Sequence, residues 1–98
     1  MKPDLQTILI STDSKTGDPS VFTDWDDAQR MYAELGWDGD PADDGIIPIG
    51  DHIADQRTLG LDWDAEQWAD SLRKCGGTAL DDATDEELIE AINEELEA

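Results

Sequence analysis

The residues best placed to do chemistry in this sequence are carboxylates that recur at intervals of four. They form two sets: Asp62, Glu66 and Asp70, followed by Glu86, Glu90 and Glu94. In an α-helix, residues four apart share a face and are separated by about 6 Å along the axis. Each set therefore predicts a row of carboxylates within an arc of about 80°, and Glu97 extends the second row. The spacing is of the same order as that of neighbouring phosphates on a DNA strand. Such rows can bind the lysine and arginine side chains that normally grip a phosphate backbone.

The net charge of the chain is the second observation. Twenty-six acidic side chains face 6 lysines and arginines, which gives a formal net charge of −20. Carboxylates at i and i+4 repel each other by about 0.2–0.5 kcal/mol per pair, and a high net charge destabilises the compact state. Because no local interaction evident in the sequence offsets this repulsion, we interpret it as favouring a cationic partner. Two other interpretations stay open: a solvated surface that keeps the protein soluble, and adaptation to a high-salt cytoplasm.

A second acidic region follows the first predicted helix. Its predicted partner-facing residues are Trp37, Asp38, Asp40, Asp43 and Asp44. A tryptophan within an acidic rim is a typical interface anchor. Part of this region also fits a calcium loop, with Asp40, Asp44, Gly45 and Asp51 at positions 1, 5, 6 and 12. Ala42 stands where the third position requires a ligand. We therefore interpret the region as an acidic surface loop and predict no metal site.

Motifs for catalysis or cofactor binding are absent from the sequence. His52 is the sole histidine and Cys75 the sole cysteine, and one histidine with carboxylates is a poor set of zinc ligands. Cys75 lies on the apolar face of a predicted helix, where a structural thiol is more common than a nucleophile. Six basic residues are too few for direct binding of nucleic acid. The sequence therefore predicts a protein that is not an enzyme and has no cofactor.

The location of the protein is predicted from two further features. The apolar run at 7–10 is too short for a signal peptide or a membrane span. A single cysteine excludes an intramolecular disulfide. We expect a cytoplasmic protein that does not contact a membrane.

Short β segments must help to position the acidic rows. Residues 7–12 and 20–22 predict two strands joined by the loop 13–19, which contains Asp, Ser, Gly and Pro. Residues 46–49 predict an edge strand, because Pro48 has no N–H to donate to a ladder.

Three helices are predicted from N-cap residues and apolar spacing. The N-cap candidates are Thr23 or Asp24, then Asp62, then Thr84. Gly36 is a predicted C-cap of the first helix, and Glu87 completes a capping box with Thr84. The segment 51–60 is ambiguous and is compatible with a short helix.

Apolar residues at helical spacing predict one buried face on each helix. These residues are Trp25, Ala28, Tyr32 and Leu35; Ala65, Trp68, Ala69, Leu72 and Cys75; and Leu88, Ile89, Ile92 and Leu96. Trp25 and Trp68 are therefore predicted core residues, whereas Trp37 and Trp63 are flanked by aspartates and are expected to be partly exposed. The chain is predicted to form a single acidic domain, residues 1–98. Its fold class is α+β, with a small antiparallel sheet and about three packed helices.

In size and charge the chain resembles the DNA-mimic inhibitors of phages and mobile elements that block restriction or CRISPR machinery. The resemblance implies an acidic protein that occupies a basic, nucleic-acid-binding surface of a target protein or complex, without contacting nucleic acid itself. One alternative is an immunity-type or regulatory partner of a basic enzyme or toxin that does not imitate DNA. Another is a halophilic domain of unrelated function. Competition with DNA separates the first two hypotheses, and salt-dependent folding would support the third.

Overall fold

The computed structural model describes residues 2–11, 20–36, 39–40, 45–75 and 78–97. These residues form three strands and four helices. In chain order they are β1 (Leu9–Ser11), β2 (Val21–Phe22), α1 (Trp25–Leu35), β3 (Ile46–Pro48), α2 (Ile49–Thr58), α3 (Ala65–Arg73) and α4 (Asp85–Glu97). The predicted α+β class, with a small antiparallel sheet and packed helices, is confirmed. Among the described helices, none combines the length and apolarity needed to cross a bilayer.

The sheet has β1 at its centre and both neighbours antiparallel to it, in the order β2-β1-β3. Leu9 pairs with Phe22 on one side, and Ile10 pairs with Ile47 on the other. The predicted pairing of the first two strands is confirmed, and so is the edge position of the strand that contains Pro48.

The strand ends differ from the prediction at two places. Thr7 and Ile8 lie in a turn before β1, because their N–H groups donate to the Asp4 carbonyl at 3.1 and 2.9 Å. The Asp4 carboxylate also accepts a bond from the Thr7 hydroxyl at 2.9 Å. Ile49 starts α2 rather than ending β3, and its N–H donates to the Ile8 carbonyl at 2.9 Å. Hydrogen bonds of the N-terminal turn therefore fix the start of β1 and the end of β3.

The two faces of the sheet carry separate hydrophobic clusters, because neighbouring strand residues point to opposite faces. The small core consists of Leu9, Phe22, Ala28, Tyr32 and Ile46, with Met31 against it. The large core contains Ile8, Ile10 and Val21 from the sheet region and the buried faces of α2, α3 and α4. Helix α1 therefore covers one face of the sheet, and the other three helices cover the opposite face.

Helix α1 begins and ends as predicted but buries less than predicted. The N-cap is Asp24, whose side chain accepts a bond from the Asp27 N–H at 2.9 Å, and Gly36 closes the helix with φ 70°. Trp25 is 38% exposed and Leu35 is 50% exposed, so the prediction of Trp25 as a core residue is wrong. The helix has 11 residues, about 16 Å, whereas β1 has 3 residues, about 10 Å. The apolar stripe is longer than the sheet beneath it, and its two ends remain exposed.

The N-cap of α3 lies two residues later than predicted. The cap is Asp64, which accepts a bond from the Gln67 N–H at 2.9 Å, while the Gln67 side chain accepts one from the Asp64 N–H at 3.1 Å. Asp62 cannot form this reciprocal pair, because the residue three positions later is Ala65. The predicted N-cap at Asp62 is therefore wrong, and Asp62 lies outside the helix.

The ambiguous segment 51–60 is largely helical and belongs to α2. Gly50 lies in its first turn, where a Cβ would clash with the side-chain amide of Gln6 and would lie 2.6 Å from the Glu95 carboxylate. The Gly50 N–H donates to the Leu5 carbonyl at 2.8 Å. At the other end of α2, Arg57 donates to the Leu96 carbonyl at 2.8 Å. Helix α2 thus ties the start of the chain to α4.

Candidate functional site

The helices α3 and α4 position most of the predicted carboxylates, and they pack on each other more extensively than any other pair of elements. The guanidinium of Arg73, at the end of α3, donates to the carbonyls of Leu80 and Ala83, both at 2.5 Å. Arg73 also forms an ion pair with Asp85 at 3.3 Å. The segment that leads into α4 is therefore held against the end of α3. The capping box predicted for α4 is confirmed, with the Thr84 N–H donating to the Glu87 carboxylate at 3.0 Å.

The two rows of carboxylates meet on one surface. A depression of about 220 Å³ lies between the helices and is lined by Glu66, Ala69, Asp70, Arg73, Asp85 and Ile89. A second depression of about 500 Å³ follows α4 and is lined by Glu86, Ile89, Glu90, Asn93, Glu94 and Glu97. Because Ile89 lines both, the depressions adjoin. We define the acidic face as the carboxylates of these linings together with Ile89: Glu66, Asp70, Asp85, Glu86, Glu90, Glu94, Glu97 and Ile89.

Lysines neutralise part of the acidic face. Lys74 forms an ion pair with Asp70 at 3.0 Å, and Lys2 pairs with Glu94. The hydrogen bond to Glu94, followed by the negative charges of Glu94 and Glu90, raises the pKa of Lys2. Exposed pairs of this kind contribute little to stability. Within the described residues, Glu66, Glu86 and Glu90 form no ion pair, although the charge of Glu90 acts on Lys2.

Asp62 does not belong to the acidic face as the sequence predicts. It is exposed and precedes α3, and it lines neither depression. The predicted row of three on this helix is therefore reduced to Glu66 and Asp70. The reason is the late start of α3, which the reciprocal bonds of Asp64 and Gln67 fix.

Ile89 and Asp85 belong to this surface although the spacing of the acidic residues does not predict it. The sequence pattern places Ile89 on the apolar face of its helix, and it is half-buried against the large core. On a helical wheel it lies only about 60° from Glu86, and this position at the border of the acidic row was the available signal. Asp85 is held at the face by its ion pair with the guanidinium of Arg73. The sequence carries no local signal for this contact.

The second predicted acidic region is described only in part. Trp37, Asp38, Asp43 and Asp44 lie outside the described residues. Asp40 is exposed, and Asp51, proposed for the last position of the calcium loop, is exposed in the first turn of α2. In the part of the chain that the structure describes, no three His, Cys, Asp or Glu side chains converge as a metal site would require.

His52 and Cys75 each contact neighbouring residues of the fold. His52 is half-buried with its ring edge-on to Trp68, at a centroid distance of 5.7 Å, and Trp63 packs on the same indole at 5.0 Å. Burial lowers the pKa of His52, an effect that the charge of Asp55 opposes. The thiol of Cys75 donates to the Ser71 carbonyl at 3.6 Å, and burial raises its pKa. The raised pKa favours the protonated form of Cys75, which is less nucleophilic than the thiolate.

Added salt is expected to raise the melting temperature of the protein. Like charges repel at i and i+4 along α4, from Glu86 to Glu90 and from Glu90 to Glu94, and also between Asp51 and Asp55 in α2. Relief of about 1 kcal/mol in total corresponds to about 4–8 °C. The measurement is thermal denaturation between about 0.01 and about 1 M NaCl, where the Debye length falls from about 30 to about 3 Å. Glu90→Gln removes both repulsive pairs of α4 and should reduce the response. A melting temperature that stays flat or falls in the wild type would contradict the expectation.

Comparisons with known proteins identify no relative of this chain. No protein family, curated protein or solved structure matches the chain. The features that bear on function are thus the charge, the acidic face and the two depressions that meet at Ile89.

Proposed function

We propose that this protein is a non-enzymatic inhibitor that uses its acidic face to occupy a basic, nucleic-acid-binding surface of a target protein. The observation that carries the proposal is the shared surface of α3 and α4, on which both rows of carboxylates line two adjoining depressions. A row on a single helix is typical of a solvated surface. Two rows on one surface present charge over an area that a target protein can cover.

The spacing of the carboxylates supports the comparison with a phosphate backbone. Glu86, Glu90 and Glu94 follow α4 at intervals of about 6 Å, and Glu66 on α3 lines the adjoining depression. Lysine and arginine side chains that normally contact phosphates can bind such a series of carboxylates. A net charge of −20 also attracts a basic target over long range and raises the rate of encounter.

A second function is favoured by one specific observation. Ile89 lies at the junction of the two depressions, and an apolar contact of this kind has no counterpart in a phosphate backbone. The alternative is a regulatory or immunity-type protein that neutralises one basic enzyme or toxin without imitating DNA. In both cases we propose a cytoplasmic location, in keeping with the single, protonated thiol of Cys75.

Neutralisation of the unpaired carboxylates is expected to weaken binding of the target. The variant replaces Glu66, Glu86 and Glu90 with glutamine, and its matched control neutralises three exposed carboxylates elsewhere, Asp26, Glu34 and Asp55. Proteins retained from a lysate by the wild type are identified, purified and titrated with each variant. Because exposed charge mainly steers encounter, the association rate should fall about tenfold or more with the first variant. The control, which removes the same charge from other surfaces, should have a smaller effect.

Competition separates the proposal from its alternative. Duplex DNA or RNA should displace the wild-type protein from its target, and the purified protein alone should not shift nucleic acid in a gel. Absence of competition would favour the regulatory partner without DNA mimicry. Equal affinities of the wild type and the folded three-site variant would refute a role of the acidic face in either function.

A further inference from the structure

We infer that the junction of the two depressions at Ile89 seats an apolar side chain from a basic α-helix of the target. This inference rests on the proposed function and names the kind of element that the acidic face recognises. It depends on the apolar side chain of Ile89 within the face as well as on the carboxylates.

Two apolar side chains lie among the carboxylates of the face. Ala69 on α3 is buried and Ile89 on α4 is half-buried, and both line the smaller depression. Ile89 also continues into the larger one. A side chain seated there would remove Ile89 from water, and burial of apolar surface favours association.

The rim of the face sets the charge of the occupant. Glu66 on α3 lines the smaller depression together with Ile89, and Glu86 and Glu90 on α4 line the larger one with the same residue. These three carboxylates form no ion pair within the described residues. Lysine or arginine residues on both sides of an apolar anchor would complement them. A second copy of this chain, with the same net charge of −20, would instead bring like charges together.

The spacing of the carboxylates along α4 favours a helix as the occupant. Carboxylates at about 6 Å intervals along α4 match basic side chains at i and i+4 of a second helix. An amphipathic helix that places its apolar face in a groove and its basic residues at the rim is a recurrent mode of recognition. The partner is therefore a basic amphipathic helix, and the contact at Ile89 adds an apolar component to its affinity.

Two synthetic peptides of equal length and charge test the inference. The first is a basic helical peptide with leucines on one face, and in the second those leucines are replaced by glutamine. The wild-type protein, Ile89→Ala and Leu59→Ala are titrated with both peptides by calorimetry, and folding is checked by circular dichroism. Leu59 is the matched control, because it is 79% exposed and lines neither depression.

We expect the wild type to bind the leucine peptide about tenfold more tightly than the glutamine peptide. Ile89→Ala should abolish most of this difference, whereas Leu59→Ala should keep it. Equal, salt-sensitive affinities of the wild type for both peptides would overturn the inference and leave the charge-based function intact. Failure of both peptides to bind at low salt would overturn the proposed function as well. Self-association of the wild type in sedimentation equilibrium that Ile89→Ala abolishes would assign the junction to a second copy and also overturn the inference.

Discussion

Trp68→Ala is expected to lower the free energy of unfolding by about 3–5 kcal/mol. Trp68 is 2% exposed and is the largest fully buried side chain among the described residues. Its indole packs edge-on against both Trp63 and His52, so its removal leaves a cavity that borders α2 and the segment before α3. A domain of this size typically has a total stability of about 5–15 kcal/mol. The substitution therefore removes a large part of it.

The loss is measured by urea denaturation, provided that the dependence of the free energy of unfolding on urea concentration is the same in both proteins. Trp25→Ala is the matched control. Trp25 is the same residue type but is 38% exposed at the end of α1, so its replacement should cost less than about 2 kcal/mol. Equal losses in the two variants would show that burial in the described structure does not govern the energetic contributions of these tryptophans.

Arg73→Leu is expected to lower the free energy of unfolding by about 2–4 kcal/mol. The substitution removes the two bonds to the carbonyls of Leu80 and Ala83 and leaves both acceptors to find other partners. It also makes the net charge of the protein one unit more negative. If total charge determined binding, the variant would bind a basic target more tightly. We expect weaker binding, because the hydrogen bonds of the Arg73 guanidinium hold α4 beside α3 and so keep the acidic face together.

Arg73→Lys distinguishes hydrogen-bond geometry from charge. Lysine keeps the positive charge but lacks the planar fork that reaches two carbonyls and Asp85 at once. Its loss of stability should approach that of Arg73→Leu. Wild-type stability in Arg73→Lys would mean that charge alone holds the segment before α4, and it would contradict the role assigned to the fork.

Local features of the fold were predictable because their partners are neighbours in the sequence. Asp24 and Gly36 close α1 through residues at most four positions away, and Thr84 with Glu87 starts α4. The choice between Asp62 and Asp64 as the cap of α3 was also local, but it required the return bond from Gln67 to be weighed. Sequence spacing alone favoured the wrong aspartate.

Features that depend on tertiary packing were not predictable from spacing. The apolar stripe of α1 extends beyond a sheet whose strands are only two or three residues long, so Trp25 is partly exposed. The shared surface of the acidic rows depends on how α4 packs against α3, and contacts of Arg73 with Leu80 and Ala83 fix that arrangement. The helical rows themselves were predictable, but the groove that joins them at Ile89 was not.

The division of the interior by the sheet has a consequence for how this sequence can change over time. Leu9, Phe22 and Tyr32 lie in the small core under α1, whereas Ile10, Trp68 and Leu88 lie in the large core on the other side. Substitutions in residues without shared neighbours usually have additive effects. We therefore expect mutations in α1 and its cluster to leave the acidic face of α3 and α4 largely unaffected, so that the two sides of the sheet can evolve separately. The three strands, each of which supplies side chains to both clusters, are constrained from both sides.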